Sequence, residues 1–144
     1  MLRGIPPIIS PDLMSVLMAT GHGDELVIAD GNFPSASLAR RLVRADGHRV
    51  QPLLEAILQF FPLDTFVPHA VALMSVVPGD KAKTDIWEEF RRILKRQDPG
   101  FHEFEMVERF AFYERARSAY AIVATSEMAV YANIIMKKGL VTPR

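Results

Sequence analysis

Short, almost entirely apolar segments are the sequence feature that most restricts the fold of this chain. They occur at Leu26–Ala29, Ala70–Val77, Tyr120–Ala124 and Ile134–Met136. A strand with one face in water alternates apolar and polar residues, whereas a strand covered on both faces is apolar throughout, as in a parallel sheet. The chain is therefore predicted to contain a central sheet that is covered on both faces.

Helical segments alternate with these strands. Ser10 is a predicted N-cap, because Pro11 follows it at the first helical position. A helix over Gln51–Phe61 is apolar almost all round, which indicates deep burial or packing on another subunit. Arg109–Ser118 carries charges at helical spacing. The alternation predicts a single α/β domain over residues 1–144, a layered α/β/α fold whose mostly parallel central sheet is flanked by helices.

Weaker patterns predict shorter elements. A helix is expected from an N-cap at Thr84 to about Arg96. The other expectations are a short helix capped by Ser35, strands at Val43–Ala45 and Phe104–Val107, and a helical turn at Glu127–Ala132.

Composition excludes several classes of function. The chain has no cysteine, which rules out a disulfide scaffold, a thiolate metal site and a cysteine nucleophile. Its 17 Lys and Arg balance 17 Asp and Glu, so it has no general attraction to nucleic acid or anionic lipid. No segment approaches the roughly 18 to 20 apolar residues of a membrane helix, and the first residues do not resemble a signal peptide. We expect a cytoplasmic protein with neither a nucleic-acid nor a membrane partner.

His22 is the residue best suited to proton transfer. It lies between Gly21 and Gly23 in the turn before the first strand, and these glycines let a ligand approach the backbone closely. An imidazole titrates near pH ~6.5, so it can donate and accept a proton at neutral pH. The alternative is a turn histidine without a role. Asp24 and Glu25 either orient the imidazole or are solvated loop acids.

No cofactor motif accompanies His22. The other histidines, His48, His69 and His102, show no i,i+4 pairing and no carboxylates at metal-binding spacing. A dinucleotide fingerprint needs a third glycine at the position of Leu26, and the Gly-Lys-Ser/Thr of a P-loop is missing from the sequence. We expect neither a metal nor a nucleotide cofactor.

Several polar residues are candidates for holding a ligand. Asp30 follows the first strand, where open α/β sheets bind ligands, and its carboxylate can accept hydrogen bonds from hydroxyls. Arg109 has donors that suit hydroxyls or a carboxylate. Tyr131 and Asn133 offer a phenol and an amide before the last strand, and Tyr120 lies within a predicted buried strand. The alternatives are an Asx turn for Asp30 and core or cap roles for the tyrosines.

Taken together, these segments resemble the L-fucose mutarotase and D-ribose pyranase family. The matching motifs are Gly21-His22-Gly23-Asp24-Glu25, Ala29-Asp30-Gly31-Asn32-Phe33-Pro34 and Tyr131-Ala132-Asn133-Ile134-Ile135. Arg109–Ala116 and Lys137-Lys138-Gly139 resemble the fucose branch. The likeness extends from about Ile8 to Gly139, without a distinctive match between Gly79 and Glu108.

The resemblance implies an enzyme that interconverts the α and β anomers of L-fucose by general acid–base ring opening, without a cofactor. It implies that His22 is the catalytic acid and base, and that Asp30, Arg109 and the segment Tyr131-Ala132-Asn133 hold the sugar. Tyr120 matches a position where the family has tyrosine or phenylalanine, and tyrosine there is associated with the active form. The family also implies a ring-shaped homo-oligomer, a decamer in its bacterial members.

The spacing of these residues bears on how a site could form. His22 precedes the first strand and Asp30 follows it, and Leu26–Ala29 spans roughly 13 Å at ~3.3 Å per residue. Asn133 also precedes its own strand. Either the His22 loop folds back, or a neighbouring chain completes the pocket. We hypothesise the shared site, which fits the apolar helix over Gln51–Phe61 and the family's rings.

Three other functions compete with this interpretation. A D-ribose pyranase is the nearest, but the segment that begins at Arg109 argues against it. A cytoplasmic sugar-binding protein without catalysis is the second, and the presence of both His22 and Tyr120 argues against it. A nucleotide-binding oxidoreductase is disfavoured because the fingerprint is missing.

Overall fold

Helices and strands alternate along most of the chain. The structure is a computed structural model that describes residues 1–143. The elements are α1 (Pro11–Ala19), β1 (Glu25–Ala29), α2 (Ser35–Leu38), β2 (Leu42–Ala45), α3 (Val50–Leu58), β3 (Val71–Met74), α4 (Ile86–Gln97), β4 (Glu105–Val107), α5 (Arg109–Ser118), β5 (Ala121–Thr125) and β6 (Ile134–Lys137). None of the helices in this part of the chain is long and apolar enough to cross a membrane.

The strands form one six-stranded sheet in the order β2-β5-β1-β6-β3-β4. β1 and β2 each pair with β5 in parallel, and β3 pairs with β4 in parallel. β6 lies between β1 and β3 and is antiparallel to both, with Ile28 opposite Ile134. The predicted mostly parallel sheet is therefore confirmed. The reversed β6 brings its first residues to the edge where the other strands end.

The two faces of the sheet carry separate cores. Leu26 and Ile28 belong to the cluster beneath α1, α3 and α4, whereas Val27 and Ala29 belong to the cluster beneath α2 and α5. This alternation follows from the two-residue period of a strand. Phe112 of α5 is fully buried in the second cluster. The expectation of a sheet covered on both faces by helices is confirmed.

Burial within one chain explains the apolar composition of helix α3. Leu53, Leu54 and Ile57 are fully buried in the core that α3 shares with α1 and α4. The helix ends at Leu58, earlier than the predicted Phe61, and its residues need no second subunit to cover them. Of the two explanations offered by the sequence, deep burial is correct, and α3 gives no support to a subunit interface.

Some local predictions are confirmed and others are wrong. The Ser10 side chain accepts a hydrogen bond from the Leu13 amide and caps α1, as predicted. Residues 127–132 do not form the predicted helical turn. A bend lies at Ala129 and a turn at Val130 and Tyr131, and the Glu127 carboxylate accepts hydrogen bonds from the amides of Met128 and Ala129. Tyr120 lies just before β5 and not within it.

The starts of two helices also differ from their predictions. The N-cap of α4 is Asp85 and not Thr84. Ser35 is the first residue of α2, so it does not cap that helix.

Candidate functional site

A pocket of about 450 Å³ opens at the edge of the sheet where the parallel strands end. We call it the carboxyl-edge pocket. Its lining residues are Asp30, Asn32, Phe33, Met74, Val77, Asp80, Ala82, Arg109, Tyr113, Val130, Tyr131 and Asn133. This volume lies within the usual range of small-molecule sites, about 300 to 1,000 Å³. The pocket therefore brings together the predicted residues Asp30, Arg109, Tyr131 and Asn133.

A larger cavity of about 860 Å³ lies between the N-terminal segment and α1. Its lining consists of apolar side chains and two serines, and none of its side chains is ionisable. Because none of its side chains can act as an acid or base at neutral pH, we regard the smaller carboxyl-edge pocket as the candidate site.

Asp30 and Asn133 meet because β6 runs against β1. The Asp30 amide donates to Asn133 Oδ1 at 2.8 Å, and the Ala132 amide donates to Asp30 Oδ2 at 3.3 Å. The position of Asn133 before its strand therefore does not keep it away from Asp30. Ala132 is fully buried and takes part through its backbone, since its side chain does not line the pocket.

Asp30 is a buried carboxyl group at the base of the pocket, with 5% of its surface exposed. Burial raises the pKa of Asp30, although hydrogen bonds from the backbone of Asn32 and Ala132 oppose this rise. The Asn32 amide donates to Asp30 Oδ1 at 3.0 Å, which is the Asx-turn geometry that the sequence offered as an alternative role. Because each carboxylate oxygen accepts more than one hydrogen bond, Asp30 can hold the turn and still bind a ligand.

Arg109 and Tyr113 line the pocket from the first turns of α5. The Glu108 carboxylate caps this helix by accepting from the amides of Phe110 and Ala111. Arg109 Nε donates to the Tyr113 hydroxyl at 3.2 Å. Tyr113 was not among the residues predicted from the sequence. Its i,i+4 spacing from Arg109 is a signal that could have identified it, because such residues share one face of a helix.

Two hydrogen bonds hold the Tyr131 side chain at the pocket. Its hydroxyl donates to Asp80 Oδ2 at 2.6 Å and accepts from the Val77 amide at 3.2 Å. The hydrogen bond to Asp80 raises the pKa of Tyr131 and lowers the pKa of Asp80. Asp80 was also not predicted, and it lies in the segment without a distinctive family match. Tyr131 thus connects the β3–α4 segment to the pocket.

His22 lies at the other edge of the sheet, before β1 begins. His22 Nε2 and Asp64 Oδ1 are 3.0 Å apart, and the Phe66 ring centroid lies 5.4 Å from that of the imidazole. The His22 side chain is 39% exposed, whereas that of Asp64 is 5% exposed. We call these two residues the His22–Asp64 pair.

Asp64 is the residue that orients the imidazole. Asp24 instead accepts from the Gly21 amide at 2.7 Å, and Glu25 pairs with Arg115 at 2.6 Å. Burial acts to raise the pKa of Asp64, but hydrogen bonds from the Phe66 amide and from His22 hold it below its usual value. Asp64 therefore remains an anion at neutral pH.

The backbone around Asp64 leaves it little freedom to move. The Asp64 amide donates to Lys137 O at 3.0 Å, and the Gly139 amide donates to Pro62 O at 2.7 Å. A Cβ atom on Gly139 would lie 2.5 Å from Leu63 O, a distance that no side chain tolerates. The Lys137-Lys138-Gly139 motif therefore allows the C-terminal segment to pack against Leu63 and Asp64.

Tyr120 lies at the same edge of the sheet as His22. Its amide donates to Glu25 O at 2.8 Å, and the Arg41 guanidinium carbon lies 4.0 Å from its ring centroid. Because β5 is parallel to β1, with Ala121 opposite Leu26, Tyr120 lies at the start of the sheet and not at the carboxyl-edge pocket.

One chain does not bring the two groups of residues together. Strand β1 has five residues, which span about 16 Å at ~3.3 Å per residue. His22 precedes this strand, and Asp30 follows it. The proton-transfer candidates His22 and Tyr120 are therefore at one edge of the sheet, and the ligand-binding candidates are at the other.

Within residues 1–143, no group of three or more His, Cys, Asp or Glu side chains could hold a metal ion.

The chain is similar to known proteins over nearly its whole length. The family model described as the RbsD / FucU transport protein family matches residues 3–141. A fucose mutarotase of Bos taurus is 46% identical over 150 aligned residues, which cover 99% of this chain and 96% of that protein. An L-fucose mutarotase of Actinobacillus pleuropneumoniae is 48% identical over 143 residues and covers 99% of both chains.

The fold is also similar to solved structures. The crystal structure of a fucose mutarotase from Streptococcus pneumoniae, in complex with L-fucose, matches with a TM-score of 0.93 and 47% identity. The match covers 98% of this chain and 100% of that chain.

Proposed function

The chain belongs to the RbsD / FucU transport protein family, and we propose that it is a cofactor-independent mutarotase that interconverts the α and β anomers of L-fucose. The observation that carries this proposal is the carboxyl-edge pocket, which places the buried Asp30 carboxyl group beside Arg109, Tyr113 and Asn133. Such a pocket has the donors and acceptors that a free monosaccharide requires. Relatives that cover nearly the whole chain carry the same activity in their names.

The pocket has distinct polar and apolar walls. Asp30 accepts hydrogen bonds from sugar hydroxyls, and the Arg109 guanidinium, which has five N–H donors, has donors left after it bonds to Tyr113. Phe33, Met74 and Val77 supply an apolar wall on which the C–H groups of the sugar pack. We propose that Tyr131-Ala132-Asn133 forms the remaining side, in line with the role that the resemblance assigns to it.

The reaction needs only proton transfers. A base removes the proton of the anomeric hydroxyl while an acid protonates the ring oxygen, and the bond between C1 and the ring oxygen breaks to give the open aldehyde. Rotation about C1–C2 and reversal of these steps give the other anomer. Positioned acid–base catalysis accelerates such a step by about 10² to 10⁴.

His22 is the proposed proton carrier, and Asp64 fixes its tautomer. The ionised Asp64 carboxylate accepts a hydrogen bond, so Nε2 carries the proton and the Nδ1 lone pair is directed away from Asp64. Nδ1 then takes the proton of the anomeric hydroxyl while a second group protonates the ring oxygen, and the reverse transfers close the ring again. An ionised carboxylate beside the ring also stabilises the imidazolium that forms during each transfer.

A second proton-transfer group completes the relay. Tyr120 or a water molecule is one candidate, and Tyr120 lies at the same edge as His22. Tyr113 is a further candidate, because its hydroxyl lines the carboxyl-edge pocket and accepts a hydrogen bond from Arg109. The two phenols are distinguished by separate substitution to phenylalanine.

The active site is proposed to form between subunits. The His22 edge of one chain would dock on the carboxyl-edge pocket of the next, a head-to-tail contact that closes into a ring when the rotation permits. Large exposed apolar side chains lie at both edges: Phe66, 74% exposed, beside His22, and Phe110, 64% exposed, beside Arg109. A decameric ring, expected from the resemblance, and a cytoplasmic location, expected from the sequence, are parts of this proposal.

The test is the rate of exchange between the α and β anomers of fucose, ribose and galactose, measured by NMR. The protein is expected to accelerate exchange most for L-fucose, and His22→Ala is expected to lose most of the acceleration. Acceleration with ribose alone would instead identify a D-ribose pyranase. Unchanged rates with all three sugars would leave a sugar-binding protein without catalysis.

A further inference from the structure

We propose that Trp87 is a positioning residue that holds the sugar-binding segment Tyr131–Asn133 in place through its indole N–H. The inference rests on the proposed function, because it concerns the same pocket. Trp87 Nε1 donates a hydrogen bond of 2.8 Å to the main-chain carbonyl of Tyr131. Trp87 does not itself line the pocket. Its effect on the sugar is therefore exerted through Tyr131 and the next two residues, Ala132 and Asn133.

The backbone at Tyr131 requires such a support. Its φ angle is +55°, which makes it the one residue other than glycine with a positive φ within residues 1–143. An L-residue with a bulky side chain is disfavoured in this left-handed region, and a residue that adopts it must be held there by its surroundings. The strain lies in the segment that presents Tyr131 and Asn133 to the pocket.

Contacts on either side of this peptide fix the positions of Ala132 and Asn133. The Tyr131 hydroxyl bonds to Asp80 and Val77 and its carbonyl bonds to Trp87, so both ends of the residue are held by the chain between β3 and the first turn of α4. Ala132 then donates to the Asp30 carboxylate, and Asn133 accepts from the Asp30 amide. A rotation of the Tyr131 carbonyl would therefore move the groups that hold Asp30 as well as Asn133 itself.

The Trp87 ring packs on the opposite face of the sheet from the Tyr131 ring. Trp87 belongs to the first turn of α4, where its amide donates to Thr84 O at 3.0 Å. Its side chain packs on the core that α4 shares with α1 and α3, whereas Tyr131 packs on the core beneath α2 and α5. The indole N–H thus links the helical layer on one face of the sheet to a residue that lines the carboxyl-edge pocket.

Trp87→Phe tests this role, because phenylalanine keeps an aromatic ring in the core and removes the N–H. One hydrogen bond contributes about 0.5–1.5 kcal/mol, which corresponds to an increase of about two- to tenfold in the KM for L-fucose. The kcat is expected to change less, since the His22–Asp64 pair lies at the other edge. Ile93→Val is the matched control, because Ile93 is a buried residue of the same helix and does not line the pocket.

Stability and KM distinguish a positioning role from a merely structural one. The proposal is supported if Trp87→Phe raises the KM while Ile93→Val, at a similar loss of stability, keeps the wild-type KM. A wild-type KM in folded Trp87→Phe, together with an active wild-type enzyme, would overturn the role of Trp87 and leave the proposed function intact. A wild-type protein that does not accelerate fucose exchange would overturn both.

A second measurement serves if Trp87→Phe does not fold. Trp87 is the single tryptophan of the chain, so the intrinsic fluorescence of the wild-type protein reports on this residue. Binding of L-fucose is expected to shift the emission spectrum, with saturation at the concentrations that saturate catalysis. A spectrum that stays unchanged at saturating fucose would contradict the link between the indole and the pocket.

Discussion

Replacement of Asp64 tests most sharply how His22 is prepared for proton transfer. In Asp64→Asn the amide oxygen is expected to stay at the Oδ1 position, where it accepts from the Phe66 amide at 3.1 Å as well as from His22 at 3.0 Å. The substitution then preserves the geometry and removes only the charge. Charge-assisted hydrogen bonds are roughly twice as strong as neutral ones, so about 1 kcal/mol is lost, or about fivefold in rate.

Asp64→Ala removes the acceptor altogether and leaves the 39% exposed imidazole free to turn. We expect a fall in kcat of about 10- to 100-fold, since positioned proton transfer contributes about 10² to 10⁴. The KM is expected to change little, because Asp64 does not line the carboxyl-edge pocket. NMR exchange between fucose anomers measures both constants.

Asp46→Asn is the matched control for these variants. Asp46 is an exposed carboxylate that follows β2, pairs with Arg44 at 2.8 Å and does not line the carboxyl-edge pocket. Its substitution should leave kcat unchanged. An Asp64→Ala enzyme with the wild-type kcat would refute the role assigned to the His22–Asp64 pair.

Three further predictions concern the pocket and its support. Because burial raises the pKa of Asp30, this carboxylate takes up a proton at a higher pH than an ordinary aspartate. The KM for fucose should therefore rise as the pH falls towards that pKa. An unchanged KM at about pH 4.5, near the ordinary carboxyl range, would argue against Asp30 as an acceptor. Gly139→Ala places a Cβ 2.5 Å from a backbone carbonyl oxygen and should lower the free energy of unfolding in denaturant by about 1–3 kcal/mol. Gly21→Ala is the control and should lower it little, because its Cβ has its nearest contact at 3.7 Å. Tyr113→Phe should lower fucose exchange more than Tyr120→Phe if Tyr113 is the second proton-transfer group, and the reverse order would favour Tyr120.

The apolar strands and capped helices of this chain are readable in the sequence because they are local patterns. The interpretation of Leu26–Ala29 as a strand covered on both faces needed only the residues themselves, and β1 differs from it by one residue. The same holds for α5, which matches its predicted range. The direction of β6 is not a local property, so the meeting of Asp30 and Asn133 could not be inferred from their places beside their strands.

The candidate site depends even more on contacts that are distant in sequence. Asp64 is 42 positions from His22 and lies in a segment with no periodic pattern, so nothing near His22 indicated it. The sequence drew attention to Asp24 and Glu25 because they are close to His22 in the chain. In the structure, Asp24 accepts from the Gly21 amide and Glu25 pairs with Arg115.

The most direct test of the central claim asks whether one active site uses two chains. His22→Ala and Asp30→Asn are each expected to be inactive, since each removes one half of the site. After the two variants are unfolded together in equal amounts and refolded, about a quarter of head-to-tail contacts should join an intact His22 to an intact Asp30. Fucose exchange is then predicted to return to about a quarter of the wild-type rate, in proportion to these contacts. A refolded mixture as inactive as its two parents would contradict a site shared between subunits.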